Sequence, residues 1–297
     1  MERVDITDSL ALSRIVYGMW RLADDEDTST KTVMAKVDAC LEQGITTFDQ
    51  ADIYGDYGSE AVFGKALKET PSLRDKIEII SKCGIKLISD KWPETRVKHY
   101  DTSKEHIVKS VDNSLRHMNV DHLDMLLIHR PDPFMDFEET GAALDANVES
   151  GKVRTVGVSN FKQSDWVTLQ NTMKSKLYVN QIEINLIESG CFRNGDLAEI
   201  TAHNMTPMAW SPLAGGALFS RENATLFDRL SEIAREFEVD ASAVAIAWLL
   251  CHPAKILPVL GTNNLGRIAK LDDALKVSMD RQTWFELYEL ANGNEVP

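Results

Sequence analysis

Asp49, Tyr54, Lys82 and His129 are four ionisable residues that each follow a short apolar run. Phe48-Asp49-Gln50-Ala51-Asp52-Ile53-Tyr54-Gly55 ends one run, Ile80-Ser81-Lys82-Cys83 the next, and Ile128-His129-Arg130-Pro131-Asp132 a third. Singly, each has an ordinary explanation: a turn aspartate, a packing tyrosine, a solvated lysine, a core histidine. Together they can deliver a proton to a carbonyl oxygen. A tyrosine hydroxyl titrates near ~10, too high for an ideal acid–base group at neutral pH. A nearby ammonium lowers that value, and a buried lysine stays charged only if a carboxylate such as Asp49 holds it. A histidine can hydrogen-bond the carbonyl oxygen and fix its orientation. Tyr54 then donates a proton as a hydride arrives at carbon. None of the four is a hydride source, so this chemistry requires a cofactor.

Eight short apolar runs alternate with helix-period stretches: Ile15–Gly18, Thr46–Phe48, Ile77–Ile80, Leu123–Ile128, Thr155–Val158, Val179–Ile182, Met205–Ala209 and Ile256–Val259. Several are apolar almost throughout, the habit of strands buried on both faces of a parallel sheet. Ile107, Val108, Val111, Leu115 and Met118 mark one helical stripe, and Val33, Val37, Cys40 and Leu41 another, with Gly44 as its stop. Thr102-x-x-Glu105 reads as a capping box. Right-handed βαβ units repeated eight times close into an α/β (β/α)8 TIM barrel, expected as one domain over residues 1–297. An open doubly wound sheet would show a glycine-rich turn after the first strand, but Tyr17-Gly18-Met19-Trp20 is no such turn. Val4–Leu12 is expected as an N-terminal hairpin plugging the barrel bottom, and Arg281–Asn292 as an extra C-terminal helix. Residues 84–101 form a long loop containing Trp92-Pro93.

The later strand ends locate the cofactor. Ser159 and Asn160 on the fifth strand and Asn180-Gln181 on the sixth offer the donors and acceptors that a nicotinamide carboxamide needs. Trp210 can stack on a ring, and Gly215 lets backbone approach a pyrophosphate. Gly261-Thr262-Asn263 precedes a helix containing Arg267, where barrels often bind phosphate.

Composition sets outer limits. The chain has 297 residues, 43% hydrophobic and 26% charged, which excludes disorder for its bulk. A net charge of −14 argues against nucleic-acid binding. The longest stretch without Asp, Glu, Lys or Arg, Ile200–Ser220, holds two prolines and two glycines and reads as helix end, strand and loop rather than a membrane span. Four scattered cysteines without a C-x-x-C pair point to free thiols and a cytoplasmic setting. His99, His106, His117, His122 and His129 lack the spacing of a metal-ligand set, so no metal is expected.

These motifs resemble the aldo-keto reductase superfamily over essentially the whole chain. Phe48–Gly55 looks like its first signature, continued by Ser59-Glu60 and Phe63-Gly64-Lys65-Ala66-Leu67. Leu126–Asp132 looks like its histidine motif. Gly151-Lys152-Val153-Arg154 leading into Gly157–Phe161, Asn180-Gln181-Ile182-Glu183 and Trp210-Ser211-Pro212-Leu213 follow in family order. The pattern is most similar to the bacterial YdhF-like branch of oxidoreductases. The resemblance implies NAD(P)H-dependent reduction of aldehydes or ketones to alcohols. It implies Tyr54 as general acid, tuned by Lys82 and Asp49, with His129 orienting the carbonyl. It places Ser159, Asn160 and Gln181 on the carboxamide, Trp210 on the ring, Ser211, Leu213 and Gly215 along the pyrophosphate, and Thr262, Asn263 and Arg267 near the adenosine phosphate. Arg267 offers a fork for a 2′-phosphate, which favours NADPH over NADH. Gln50 stands where threonine is common, and neither Gly261 nor Asn263 is basic, as many members are there. Trp20 and Trp92 are expected to line the substrate pocket and favour aromatic or medium aliphatic carbonyls over charged sugars. The expected partner is a small-molecule carbonyl, without nucleic acid or membrane, and the chain a monomer or weak oligomer. The alternative function is a nucleotide-binding redox sensor or regulatory subunit of the same superfamily.

Overall fold

A computed structural model describes residues 1–297. Its centre is a closed barrel of eight parallel strands. In chain order they are β1 (Val16–Gly18), β2 (Thr47–Asp49), β3 (Glu78–Cys83), β4 (Leu123–Ile128), β5 (Val153–Ser159), β6 (Leu177–Glu183), β7 (Thr206–Trp210) and β8 (Leu257–Leu260). Each pairs with its sequence neighbours, and β8 closes on β1 through Val259↔Val16 and Leu260↔Tyr17. All eight expected strands are present, within a few residues at their ends. No helix is long and apolar enough to cross a membrane.

The two-residue period of a strand sorts side chains between two cores. Val16, Ile80, Met125, Leu127, Val179, Met208, Leu257 and Val259 point into the barrel and form one cluster. Val4, Leu10 and Leu12 join it from below. They belong to the N-terminal hairpin, whose strands Arg3–Thr7 and Leu10–Ser13 pair antiparallel and plug the bottom as expected. Alternate residues such as Phe48, Ile79, Leu126 and Ile128 point outward into the larger cluster beneath the helices.

The surrounding helices are α1 (Thr30–Glu42), α2 (Ser59–Glu69), α3 (Lys104–Met118), α4 (Phe137–Glu149), α5 (Gln163–Asn171), α6 (Asp196–Ala202), α7 (Ala224–Glu236), α8 (Ala241–Leu250), the single turn α9 (Leu265–Ile268) and α10 (Arg281–Asn292). Gly44, at φ +75°, follows α1 and donates its N–H to Leu41 O, the expected stop. Two helices against one another need close backbones where α2 meets α3. A Cβ on Gly64 would lie 1.8 Å from His117 O, so only glycine fits there.

Two local expectations are corrected. The cap of α3 is Ser103, whose hydroxyl accepts from His106 N, and not Thr102. Thr102 instead donates to the Asp132 carboxylate at 3.0 Å, tying the β3–α3 loop to the end of β4. The seventh connection holds two helices rather than one. The helix α8, apolar but for Ser242, takes the barrel position, with Val244–Leu249 buried, and α7 lies outside it against α10. That extra helix carries an ordinary amphipathic stripe, Leu226, Leu230 and Ile233, which is visible in the sequence itself.

Candidate active site

On four strands the inward face runs from apolar residues in the barrel interior to a polar or aromatic residue at the carboxyl end. On β3 the step is Ile80 to Lys82; on β4, Met125 and Leu127 lead to His129; on β6, Val179 leads to Gln181; on β7, Met208 leads to Trp210. The barrel therefore brings Asp49, Tyr54, Lys82 and His129 to one rim.

The buried Lys82 ammonium has three acceptors: Asp49 Oδ2 at 2.6 Å, Gln50 O at 3.0 Å and Tyr54 Oη at 2.9 Å. Each of its N–H groups is thus satisfied. Asp49 Oδ1 accepts from Gln181 Nε2 at 2.9 Å, a bond from the far side of the barrel. Burial by itself would lower the Lys82 pKa, but Asp49 and Tyr54 reverse this and hold it above its ordinary value. Lys82 is a firmly charged donor.

Tyr54 departs from its sequence reading. Lys82 does push its pKa down, but burial pushes harder and Asp49 adds to it, so the hydroxyl sits above the ordinary 10. The tyrosine keeps its proton. Its oxygen already accepts from Lys82, so its own O–H is left to donate elsewhere.

The His129 ring lies edge-on to Tyr54, with centroids 6.0 Å apart at 77°. Its backbone N–H donates to Cys83 O at 2.8 Å. Nδ1 is buried without a partner, which favours the tautomer carrying the proton on Nε2. Burial holds the imidazole pKa well below 6.5, and Lys82, Arg130 and Lys98 add repulsion. The ring is neutral at physiological pH. The stability carried by this neutral form is full above 6.5 and is lost as the pH falls from there towards the folded pKa.

The carboxamide candidates form a chain among themselves. Ser159 Oγ donates to Gln181 O at 2.8 Å. Asn160, at φ +63°, donates from Nδ2 to His129 O and to Ser159 Oγ, and its Oδ1 accepts from Trp210 Nε1 at 2.8 Å. Asn160 is therefore largely occupied in joining β4, β5 and β7. The Gln181 side-chain oxygen, Oε1, has no partner within the protein and is the group free to accept from an amide. After Trp210 the backbone enters left-handed conformations at Ser211, Ala214, Gly215 and Gly216. A Cβ at Gly215 or Gly216 would meet nothing within 4 Å, so their backbone is open to a diphosphate. These features fit a nicotinamide nucleotide: an open acceptor, an indole whose N–H is already bonded, and an unobstructed glycine turn.

Asn263 is more enclosed than expected. Its Nδ2 donates to Arg21 O at 2.6 Å and its Oδ1 accepts from Lys36 Nζ at 3.3 Å. Gly261 lies against Gly18 of β1, Thr262 Oγ1 accepts from Asn264 N, and Arg267 is exposed. Leu213 packs on the outer core. Trp20 is 58% exposed, with the Arg21 guanidinium 5.3 Å from its ring centroid. Trp92 is engaged by Tyr57 and by the Lys86 and Lys109 ammonium groups, 4.5 and 4.7 Å from its centroid. Sequence reasoning passes over Arg130, whose guanidinium lies 5.6 Å from the Trp210 ring, and Lys98. Arg130 adjoins His129 in sequence, which is signal enough to find it; Lys98 sits in the long loop, where nothing local marks it. No group of three or more His, Cys, Asp or Glu is placed to hold a metal ion.

A parallel eight-stranded barrel with a Tyr–Lys–Asp–His cluster at its carboxyl rim defines a cofactor-dependent oxidoreductase. Residues 14–292 match the model of the aldo/keto reductase family, and the chain belongs to that family. It is an NAD(P)H-dependent reductase of the YdhF-like branch. It is 60% identical over the full length of both chains to a 6-dehydroglucose reductase of Agrobacterium fabrum. It is 40% identical to the oxidoreductase YdhF of Escherichia coli, over 96% of this chain and 95% of that one. An aldo-keto reductase of Klebsiella pneumoniae solved with NADPH superposes with a TM-score of 0.81 at 25% identity, over 100% of this chain and 96% of that one.

Proposed function

We propose that the protein reduces the aldehyde of a neutral sugar, 6-dehydroglucose, to a primary alcohol with NADPH. The observation that carries the chemistry is the Tyr54 hydroxyl, fixed by Lys82 through its oxygen and left with a free proton opposite a neutral His129. NADPH when bound supplies the hydride to the aldehyde carbon. His129 Nε2–H holds the carbonyl oxygen, and Tyr54 gives that oxygen its proton. Lys82 lies beside the tyrosinate so formed and stabilises it, and Asp49 keeps Lys82 charged. Gln181 would hold the amide end of the cofactor, with Asn160 and Ser159 bracing it and Trp210 beside the ring. Ser211, Leu213 and Gly215 would line the diphosphate, and Thr262 and Arg267 the adenosine phosphate.

The substrate reading rests on the 60% identical relative and on the mouth of the site. Trp20 and Trp92 are partnered by cations, and Arg130 and Lys98 are close enough to repel a proton from His129. Hydrogen-bond donors of this kind support a hydroxyl-rich substrate over an aryl aldehyde, where the tryptophans alone favour an apolar one.

The test is NADPH oxidation with 6-dehydroglucose, benzaldehyde and an ordinary aldose, with NADH in parallel. The expected kcat/KM favours 6-dehydroglucose over benzaldehyde by roughly 10²-fold or more, since polar groups left unpaired penalise the aryl substrate. Preference for benzaldehyde overturns the substrate reading. Tight nucleotide binding without turnover of any carbonyl overturns the enzyme reading in favour of a redox sensor.

The pH profile offers a separate check. A histidine held well below 6.5 does not titrate there, so kcat is expected to pass through 6.5 without an inflection. An acid limb centred on that value, absent in His129→Asn, would show that the ring protonates during turnover.

A further inference from the structure

We propose that Lys36 and Asn263 are positioning residues that set the preference for the 2′-phosphate of NADPH, by bracing the Thr262–Arg267 segment from behind; this rests on the nucleotide site proposed above. Lys36 lies on α1, and its side chain is 3% exposed. Burying an ammonium is costly unless it is paired, and lysines are almost never fully buried otherwise. A methionine would fill the same space without that penalty. Lys36 touches none of the four rim residues. Its ammonium pairs with Asp25 in the β1–α1 loop and donates to Asn263 Oδ1 at 3.3 Å. Asn263 in turn donates to Arg21 O at 2.6 Å.

Both ends of the segment are held by the same helix. Gln43, at the end of α1, donates from Nε2 to Ile268 O at 2.8 Å and accepts from Asp272 N at 2.9 Å. The buried Tyr17 hydroxyl donates to Thr262 O at 2.8 Å. These bonds turn the Asn263 side chain inward, leave Thr262 half-buried beside it and leave Arg267 exposed. The Arg267 guanidinium is exposed and pairs with no carboxylate, although the chain carries 46 acidic residues. A planar, unpaired fork on a braced segment suits a phosphate. Asn263 therefore acts through the backbone it holds, in place of the direct phosphate contact implied by its motif.

The experiment measures dissociation constants for NADPH and NADH by intrinsic fluorescence in wild type, Lys36→Met and Asn263→Ala. NADPH affinity is expected to fall roughly tenfold in both variants, the loss of about one hydrogen bond to a charged group. NADH affinity is expected to fall less than about twofold, because it lacks the phosphate that the segment positions. In turnover the loss is expected in KM for NADPH rather than in kcat. Equal weakening of both nucleotides marks a merely structural role and overturns the proposal, as does unchanged NADPH affinity. Asn263→Ala leaves the Lys36–Asp25 pair in place, so it tests the proposal even if Lys36→Met does not fold. Equal wild-type affinity for the two nucleotides overturns this inference alone; a wild type that binds neither overturns the nucleotide site with it.

Discussion

Tyr54→Phe is expected to bind nucleotide as the wild type does and to lose about 10²–10⁴-fold in kcat, the usual worth of a positioned general acid. The ring remains, so its edge contact with His129 remains. Lys82 loses one acceptor but retains Asp49 Oδ2 and Gln50 O, so the buried ammonium is still held. The loss therefore isolates the proton. KM should change little, because the hydroxyl acts chiefly in the transition state. Single-turnover reduction followed at the NADPH absorbance, beside a fluorescence titration of the nucleotide, separates the two quantities. Turnover within a few-fold of wild type would remove Tyr54 from the mechanism.

Lys82→Met should damage both rate and fold. The methionine preserves most of the stem volume, so packing is nearly conserved. What disappears is the only cation paired with Asp49, whose side chain is 2% exposed. Asp49 would keep the Gln181 bond alone. Breaking a buried pair from one side costs about 3–5 kcal/mol. For a chain this large that lowers Tm by roughly 5–8 °C. Turnover should fall at least as far as in Tyr54→Phe, because the tyrosinate formed on proton transfer loses its neighbouring charge. Asp49→Asn combined with Lys82→Met separates the effects: the double variant removes the orphaned charge and is expected to regain most of the stability and none of the rate. Recovery of rate would show that Lys82 matters only for folding. The pH dependence has a definite sign. Lys82 titrates above its ordinary 10.5 in the folded chain, so its contribution to stability is complete below that value and is lost as the pH rises through the folded pKa.

Much of this protein is determined by its sequence alone. Apolar runs such as Leu126-Leu127-Ile128, alternating with helical stripes, place eight strands, and the stripes themselves place α1 and α3, with α10 at the end of the chain. The period of two on β3 and β4 then leads from Ile80 to Lys82 and from Leu127 to His129, so the rim cluster is legible from local pattern. Local pattern works there because backbone geometry repeats over short distances. Hydrogen-bond partners distant in sequence follow a different rule, since they depend on barrel closure and strand register. The bond from Gln181 to Asp49 crosses the barrel. The cap of α3 shifts from Thr102 to Ser103 because Asp132, on the next strand's loop, takes the threonine hydroxyl. Burial sets the Tyr54 hydroxyl above 10 although its neighbour is a cation, and burial is a property of the assembled barrel. Asn263 turns inward because Lys36, on a helix far earlier in the chain, lies behind it. The residue types and their order along the strands are sequence facts; which of their polar atoms remain free for a substrate is decided by closure, because each partner taken inside the fold is one fewer left at the rim.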